Sequence, residues 1–213
     1  MQEADIEVVR QWRNDPVVAN NYEFRDHITP EMQQKWFQSV NNINNLYTIL
    51  EYKGEEIGVI NIKNINWEEK TCEGGIFIPD TKYHLTGLPA IISYVTTEII
   101  FRMFDWNVAY AHVLRDNHSV QQFVKMLGYQ LLPGQEEVHN QKYIITKESF
   151  ELKSEKIRKA INVLAGNDEK GVLFIPSAMM NDPLTREWEA KVNTSRFMQK
   201  TELKPEGRYY YFS

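Results

Sequence analysis

The chain is short of cysteine, of basic charge and of long apolar runs, and each shortage excludes a class of protein. One residue in 213 is cysteine, Cys72, so no disulfide can close within the chain and a reducing compartment is expected. Five scattered histidines and a single thiol offer no zinc-type ligand cluster, and no metal is expected. The longest apolar stretch, around AIISYVTTEIIFRMF, is broken by Ser93, Thr96, Thr97, Glu98 and Arg102, which excludes a membrane-spanning helix there. The opening MQEADIEVVRQWRND is charged and lacks the apolar core of a secretion signal, so the expected location is cytoplasmic. Residues 1–150 hold 13 Lys and Arg against 20 Asp and Glu, whereas residues 151–213 hold 11 against 9. An acidic larger part is a poor electrostatic match for nucleic acid, and it suits an amine-bearing partner somewhat better.

What is present is a chain of ordinary apolar content, long enough for one good core plus an appendage. Ile6, Val8, Val9 and Trp12 give a helical stripe from Asp5 to Asn14, and Asp15-Pro16 is expected to end it. A second helix is expected after Thr29, where Thr-Pro-Glu-Met supplies an N-cap, a proline at the first position and an acidic first turn. LYTILEY and EIGVINIKNI flank the turn Lys53-Gly54-Glu55, and TCEGGIFI follows, so these three segments predict an antiparallel meander. Then TKYHLTGLPAIISYVTTEIIFRMF reads as a glycine-containing loop feeding a helix, and VAYAHVL as a strand that can run parallel because a helix precedes it. VQQFVKML reads as a helix closed by Gly128, and YQLLPG and VHNQKYIIT as a final strand pair. This order predicts an α/β (α+β) domain over residues 1–150: a mixed, mostly antiparallel sheet flanked by helices, with a ligand crevice at strand ends.

Two segments can carry chemistry. The loop before Pro89 presents backbone N–H groups at a helix N-terminus, an arrangement that binds phosphate, and Gly87 permits close approach; connections of this kind are also common as plain structure. Asn117 stands at a strand end before a helix, where Asp116 to Ser119 also serve as an N-cap and Phe123, Val124 and Leu127 as core.

The spacing Asn117, Ser119 and Lys125-Met-Leu-Gly128-Tyr129 resembles the Asn-x-x-Ser/Ala-x-x-x-Tyr-x-x-x-Gly-Phe/Tyr motif of the GNAT acetyltransferase superfamily. CEGGIFIPD and His84-Leu-Thr-Gly87-Leu-Pro89-Ala90 stand where that superfamily has its coenzyme A loop. DIEVVRQWRNDPVVANNYEF, ITPEMQQKWF and Glu56-Ile-Gly58-Val-Ile are similar to the subgroup of ribosomal-protein N-terminal acetyltransferases and the amino-sugar N-acetyltransferase of pseudaminic acid synthesis. The likeness covers about residues 3–150 and implies a splay between the CEGGIFI and AYAHVL strands that holds acetyl-CoA as co-substrate. It implies that backbone groups of Ile76, Phe77 and Ile78 pair with the pantetheine arm. It places the diphosphate on the loop of His84, Leu85, Thr86, Gly87, Leu88, Pro89 and Ala90, and brings Asn117 to the cofactor. The reaction implied is attack of a primary amine on the thioester, with a nucleotide-linked amino sugar as leading acceptor and a polyamine or protein N-terminus as competitors. Glu73 is the candidate base, against the plainer reading of a strand carboxylate; His118 and Tyr129 rank below it.

The chain departs from the family pattern in three places. His84 stands where Gln or Arg is usual, and Pro89, which has no N–H to give, stands where a small residue is usual. The tyrosine that protonates the leaving thiolate is replaced by Val124, with Tyr83, Tyr94 and Tyr129 as substitutes to consider. The usual first strand is missing, and residues 151–213 are additional: a charged helix KSEKIRKAINVLAG, a strand GVLFIPSAM, a helix from Pro183 and the aromatic GRYYYFS. One expectation is that GVLFIP or RYYYF fills the vacant edge; another is an accessory piece, with homodimerisation as one use. A second function class therefore stays open, a non-catalytic acyl-CoA-binding or assembly module.

Overall fold

The computed structural model describes residues 1–165, 171–195 and 198–212. After a 3-10 turn at Glu3–Asp5, helix α1 (Ile6–Asn14) buries Val9. Asp15-Pro16 ends α1 as the sequence predicts, but it also starts the short helix α2 (Pro16–Ala19). The Asp15 carboxylate accepts from the Val17 N–H at 2.7 Å, and Pro16 occupies the first position, where a missing N–H costs nothing. Helix α3 (Pro30–Val40) begins at its predicted cap, with Thr29 Oγ1 accepting from the Met32 N–H at 3.3 Å.

Strands β1 (Leu46–Tyr52), β2 (Glu55–Asn66) and β3 (Thr71–Phe77) form the expected antiparallel meander. Its first turn places Lys53 and Gly54 at φ 55° and 80°, the left-handed pair that matches strand twist in a two-residue hairpin. Helix α4 (Leu88–Glu98) runs into a π-helical turn at Ile99–Met103, and strand β4 (Val108–Leu114) returns parallel to β3. Helix α5 (His118–Leu127), strand β5 (Gln130–Leu131) and strand β6 (Asn140–Thr146) complete the sheet, in the order β1-β2-β3-β4-β6-β5. Ile62, Cys72, Ala109, Ala111, Val113, Tyr143 and Ile145 are buried in one cluster with Ile100, Phe101 and Leu127. Burial of apolar side chains on this scale is the dominant stabilising term.

Gly128 closes α5 at φ 110°, and a Cβ there would stand 2.6 Å from the Ser149 carbonyl oxygen. Gly128→Ala is therefore expected to cost about 2–4 kcal/mol, the sum of a left-handed alanine and an overpacked contact. Urea unfolding measures it. Gly128→Asn should not recover the loss, because asparagine tolerates the dihedral but keeps the Cβ.

Beyond β6, a cap in which Thr146 and Ser149 bond each other's backbone N–H opens α6 (Lys147–Lys153). The charged helix expected over KSEKIRKAINVLAG is found as α7 (Glu155–Ala165), set off from α6 at Ser154; its expected end, Gly166, lies outside the described residues, as does Ser213 of GRYYYFS. Strand β7 (Gly171–Pro176), helix α8 (Pro183–Val192) and strands β8 (Met198–Lys204) and β9 (Gly207–Phe212) make the rest. The expectation that GVLFIP or RYYYF fills the vacant edge within the chain is overturned. These segments pair with each other, Phe174 opposite Tyr209, in a separate sheet of order β7-β9-β8. No described strand pairs with the far side of β1, where the Met1 ammonium donates to the Tyr47 carbonyl at 2.8 Å.

The extension packs against the core of the large sheet through Ile157, Leu184 and Trp188. Trp188 of α8 lies in the main core cluster, 5.5 Å from the Trp67 ring and 5.6 Å from Phe104. Within the extension the buried Glu189 carboxylate accepts from Arg208 Nη1 and from the Tyr210 hydroxyl, both at 2.8 Å.

Candidate functional site

Strands β3 and β4 pair over only three rungs, Thr71–Val108, Cys72–Ala109 and Glu73–Tyr110. Beyond Glu73 and Tyr110 each strand runs four residues further without its partner, so the two separate and leave unpaired backbone groups along both lips. A cleft of about 990 Å³ opens there. Two adjacent glycines sit at its apex and face opposite ways. A Cβ on Gly74 would lie 3.7 Å from Ile100 and 3.9 Å from the Tyr129 hydroxyl, on the buried side. A Cβ on Gly75 would lie 3.1 Å from the Asn61 amide, on the side covered by α1 to α3.

Of the site residues picked from the sequence, Glu73, Ile76, Phe77, Ile78, His84, Pro89 and Asn117 line this cleft. Leu85, Thr86, Gly87, Leu88 and Ala90 are not on its wall; they form the rim at the start of α4, with Leu85 fully exposed. The rim loop spends part of its donor set internally. The Thr86 N–H bonds the Tyr83 carbonyl, the Leu88 N–H bonds Thr86 Oγ1, and Pro89 has none. The N–H groups of Leu85, Gly87 and Ala90 bond no described residue. His84 Nε2 lies 2.7 Å from the Ile78 carbonyl and ties the loop to the end of the β3 lip. The Asn117 side chain is engaged at both ends: its Oδ1 accepts from the Val120 N–H at 3.2 Å and from Ser119, and its Nδ2 donates one N–H to Asn21 Oδ1 at 2.8 Å.

His118 lies outside the cleft. Among the substitute tyrosines, Tyr83 donates to Glu55 at the surface and Tyr94 to Glu98, and neither lines the cleft. Tyr129 does, beside Val124, and burial pushes its phenol well above the ordinary range.

Glu73 is the electrostatic centre. Its side chain is 13% exposed, and its Oε2 takes Asn64 Nδ2 at 3.0 Å, Lys63 Nζ at 3.5 Å and His112 Nδ1 at 3.5 Å, with Lys142 Nζ 4.0 Å from Oε1. The His112 contact first, then Lys63 and Asn64, outweigh burial and hold the carboxyl down at about 2. A depressed carboxyl adds stability above its unfolded value near 4.5, and that part is lost as pH falls from there toward 2. At neutral pH Glu73 is a fixed anion.

Sequence reasoning missed His112, Lys63, Lys142 and Asn61. Each faces the cleft or Glu73 through strand register, a signal available only once β3 is paired with β4 and β2. Asn61 is 8% exposed and its Oδ1 has no hydrogen-bond partner among the described residues, so the cleft contains an acceptor suited to a ligand donor.

The profile of the Acetyltransferase (GNAT) domain family matches residues 1–130. No curated protein sequence matches the chain significantly. Spermidine N-acetyltransferase from Vibrio cholerae, solved with CoA and spermine, superposes with TM-score 0.61 at 12% identity over 70% of this chain and 94% of its own. A domain from Methanocaldococcus jannaschii DSM 2661 gives 0.60 at 16% identity over 68% and 94%. The Campylobacter jejuni N-acetyltransferase PseH gives 0.52 at 18% identity over 69% and 92%. These likenesses establish the fold. Among the described residues no group of acidic, His or Cys side chains is arranged to hold a metal, and no helix is long and apolar enough to cross a membrane.

Proposed function

The chain belongs to the GNAT acetyltransferase family, and from that premise we propose that it transfers the acetyl group of acetyl-CoA to the primary amine of a small, hydroxyl-rich acceptor such as a nucleotide-linked amino sugar. The observation that carries this reading is the three-rung β3–β4 pairing with its cleft. On the β3 lip, Ile76 has no β4 partner and suits an extended amide-bearing arm, with Phe77 and Ile78 continuing that lip and the Ile78 carbonyl already held by His84. The free N–H groups of Leu85, Gly87 and Ala90, at the positive end of α4, suit a diphosphate. Asn117 contributes through the helix start it caps. The V. cholerae neighbour is described with CoA bound, which supports the same cofactor here.

The acceptor side favours an amino sugar over a polyamine on charge. A polycation needs surplus carboxylates, yet Glu73 is already matched by Lys63, His112 and Lys142. The other carboxylate on the wall, Glu23, is held by Asn140 at 3.2 Å. The amides of Asn21, Asn61, Asn64 and Asn140 line the same wall and suit hydroxyl groups, and Lys63, also on the wall, suits a phosphate-bearing portion.

In the reaction, the amine nitrogen's lone pair forms the C–N bond and the C–S bond breaks with its electron pair on sulfur. Of the two protons the ammonium sheds, one leaves through the Glu73 cluster and one ends on sulfur. We take the compartment to be the cytoplasm, where the buried thiol of Cys72 stays reduced.

Calorimetric titration with acetyl-CoA, then a thiol-release screen over UDP-glucosamine, spermidine and N-terminal peptides, tests the reading. Absence of acetyl-CoA binding would sink it; release with spermidine alone would sink the acceptor class. Pro89→Ala restores one rim donor and is expected to tighten acetyl-CoA by about fivefold, the worth of about one hydrogen bond, by the same calorimetry.

A further inference from the structure

We propose that His112 is the group that takes the proton from the acceptor amine, and that Glu73 is the positioning residue that orients it. This rests on the reading of the cleft as an acetyl-transfer site and names the proton route inside it.

Three observations carry it. The first is register. Tyr110 is the last residue of β4 paired with β3, opposite Glu73, and His112 is two residues on, on the same face. That puts its imidazole on the open lip, in the wall of the cleft and about one-third exposed, whereas Glu73 sits behind at the last closed rung with 13% of its side chain exposed. An amine entering from solvent meets the imidazole before the carboxylate.

The second is orientation. Nδ1 is the ring nitrogen that faces Glu73 Oε2, at 3.5 Å, and Nε2 has no partner among the described residues. A carboxylate on one ring nitrogen holds the proton there and leaves the other with its lone pair, the division of labour that makes an imidazole a base.

The third is the crowd around Glu73. Lys63 from β2, Asn64 beside it, Lys142 from β6 and His112 from β4 all address one carboxylate. A carboxylate so well matched gains little by accepting a proton, but it stabilises an imidazolium beside it. Further charged or titratable groups facing this region include Glu23, held by Asn140, Tyr110, whose ring lies under Lys142 at 4.2 Å, Tyr22, whose ring lies under Arg13, and Tyr47, which feels the Glu73 charge. The proton passes from the amine to Nε2 and then to water at the open lip. The carboxylate stays ionised throughout.

The test uses the whole chain, with UDP-glucosamine and hydroxylamine as acceptors. Hydroxylamine arrives unprotonated at neutral pH and has no need of a base. His112→Asn should lower kcat for UDP-glucosamine about 100-fold, with KM changed less than about threefold, and acetyl-CoA affinity should hold. With hydroxylamine the deficit should shrink below about fivefold. Glu73→Gln should lower kcat less than His112→Asn, and the double variant should be no worse than His112→Asn. Independently of turnover, nitrogen NMR of the acetyl-CoA complex should show His112 protonated at Nδ1, and Glu73→Gln should mix the tautomers; thermal melts exclude misfolding.

Turnover of UDP-glucosamine that survives His112→Asn, or an Nε2-protonated ring in the wild type, overturns this assignment alone. Acetyl-CoA bound without release by any amine overturns the acetyl-transfer reading and this assignment with it.

Discussion

Gly74→Leu is expected to lower acetyl-CoA affinity by at least about 100-fold while leaving the sheet folded. Room for a Cβ exists at this position, with its nearest neighbours at ordinary contact distances of 3.7 and 3.9 Å, so the strand accepts the change. The remaining carbons must go into the apex of the cleft between Ile100 and Tyr129, where the β3–β4 pairing has just ended. A thioester brought to that point has no space left, and overpacking of one to three kcal/mol, roughly, combines with lost contacts to give this loss. Calorimetry reads the affinity and a thermal melt the fold. Gly75→Ala is the control. Its added methyl presses on the Asn61 amide across the sheet, so it should raise the acceptor KM and leave acetyl-CoA binding within about threefold. Equal loss of acetyl-CoA from both variants would refute the division of the cleft into cofactor and acceptor sides.

Arg208→Met is expected to destabilise the extension by about 2–4 kcal/mol. Glu189 is 6% exposed and keeps its charge company through Arg208 and the Tyr210 hydroxyl. Removing the guanidinium strands a buried carboxylate, which costs more than the pair itself contributes. The Arg208 side chain is 30% exposed, so water can reach part of the gap and the lower half of that range is expected. Tyr210→Phe removes one neutral donor and should cost about 1 kcal/mol. Glu189→Gln with Arg208→Met should recover much of the single-variant loss, because no charge is then left alone. Urea unfolding followed by tryptophan emission measures all three, since Trp188 is one residue from Glu189 on α8.

Most of the large sheet was legible because its strands carry their own punctuation. Gly54 marks the hairpin, Gly128 the end of α5, and Thr29 the start of α3, each a local requirement of backbone geometry that one residue satisfies. The parallel return of VAYAHVL beside TCEGGIFI followed from the helix between them. Asp15-Pro16 ended α1 as read, but the short helix α2 that the same dipeptide caps was not legible. Strand β8, MQKTELK, had no apolar alternation to announce it; it is held by β9 and by ring contacts such as Lys200 over Tyr211. In the candidate site, Glu73 at the cleft and the loop at the start of α4 were picked out through likeness to the acetyltransferases. The setting of Glu73 was not, since His112 lies 39 positions away and Lys142 further still, and only register brings them together.

The seating of Trp188 against Trp67 and Phe104 ties the histories of two segments that share no sequence pattern. A relative that lost the extension would leave Trp67 facing water, and selection would then favour a polar residue at that position. Trp67 and Trp188 should accordingly rise and fall together across descendants of this chain, a covariation imposed by the aromatic seam and indifferent to which amine the cleft acetylates.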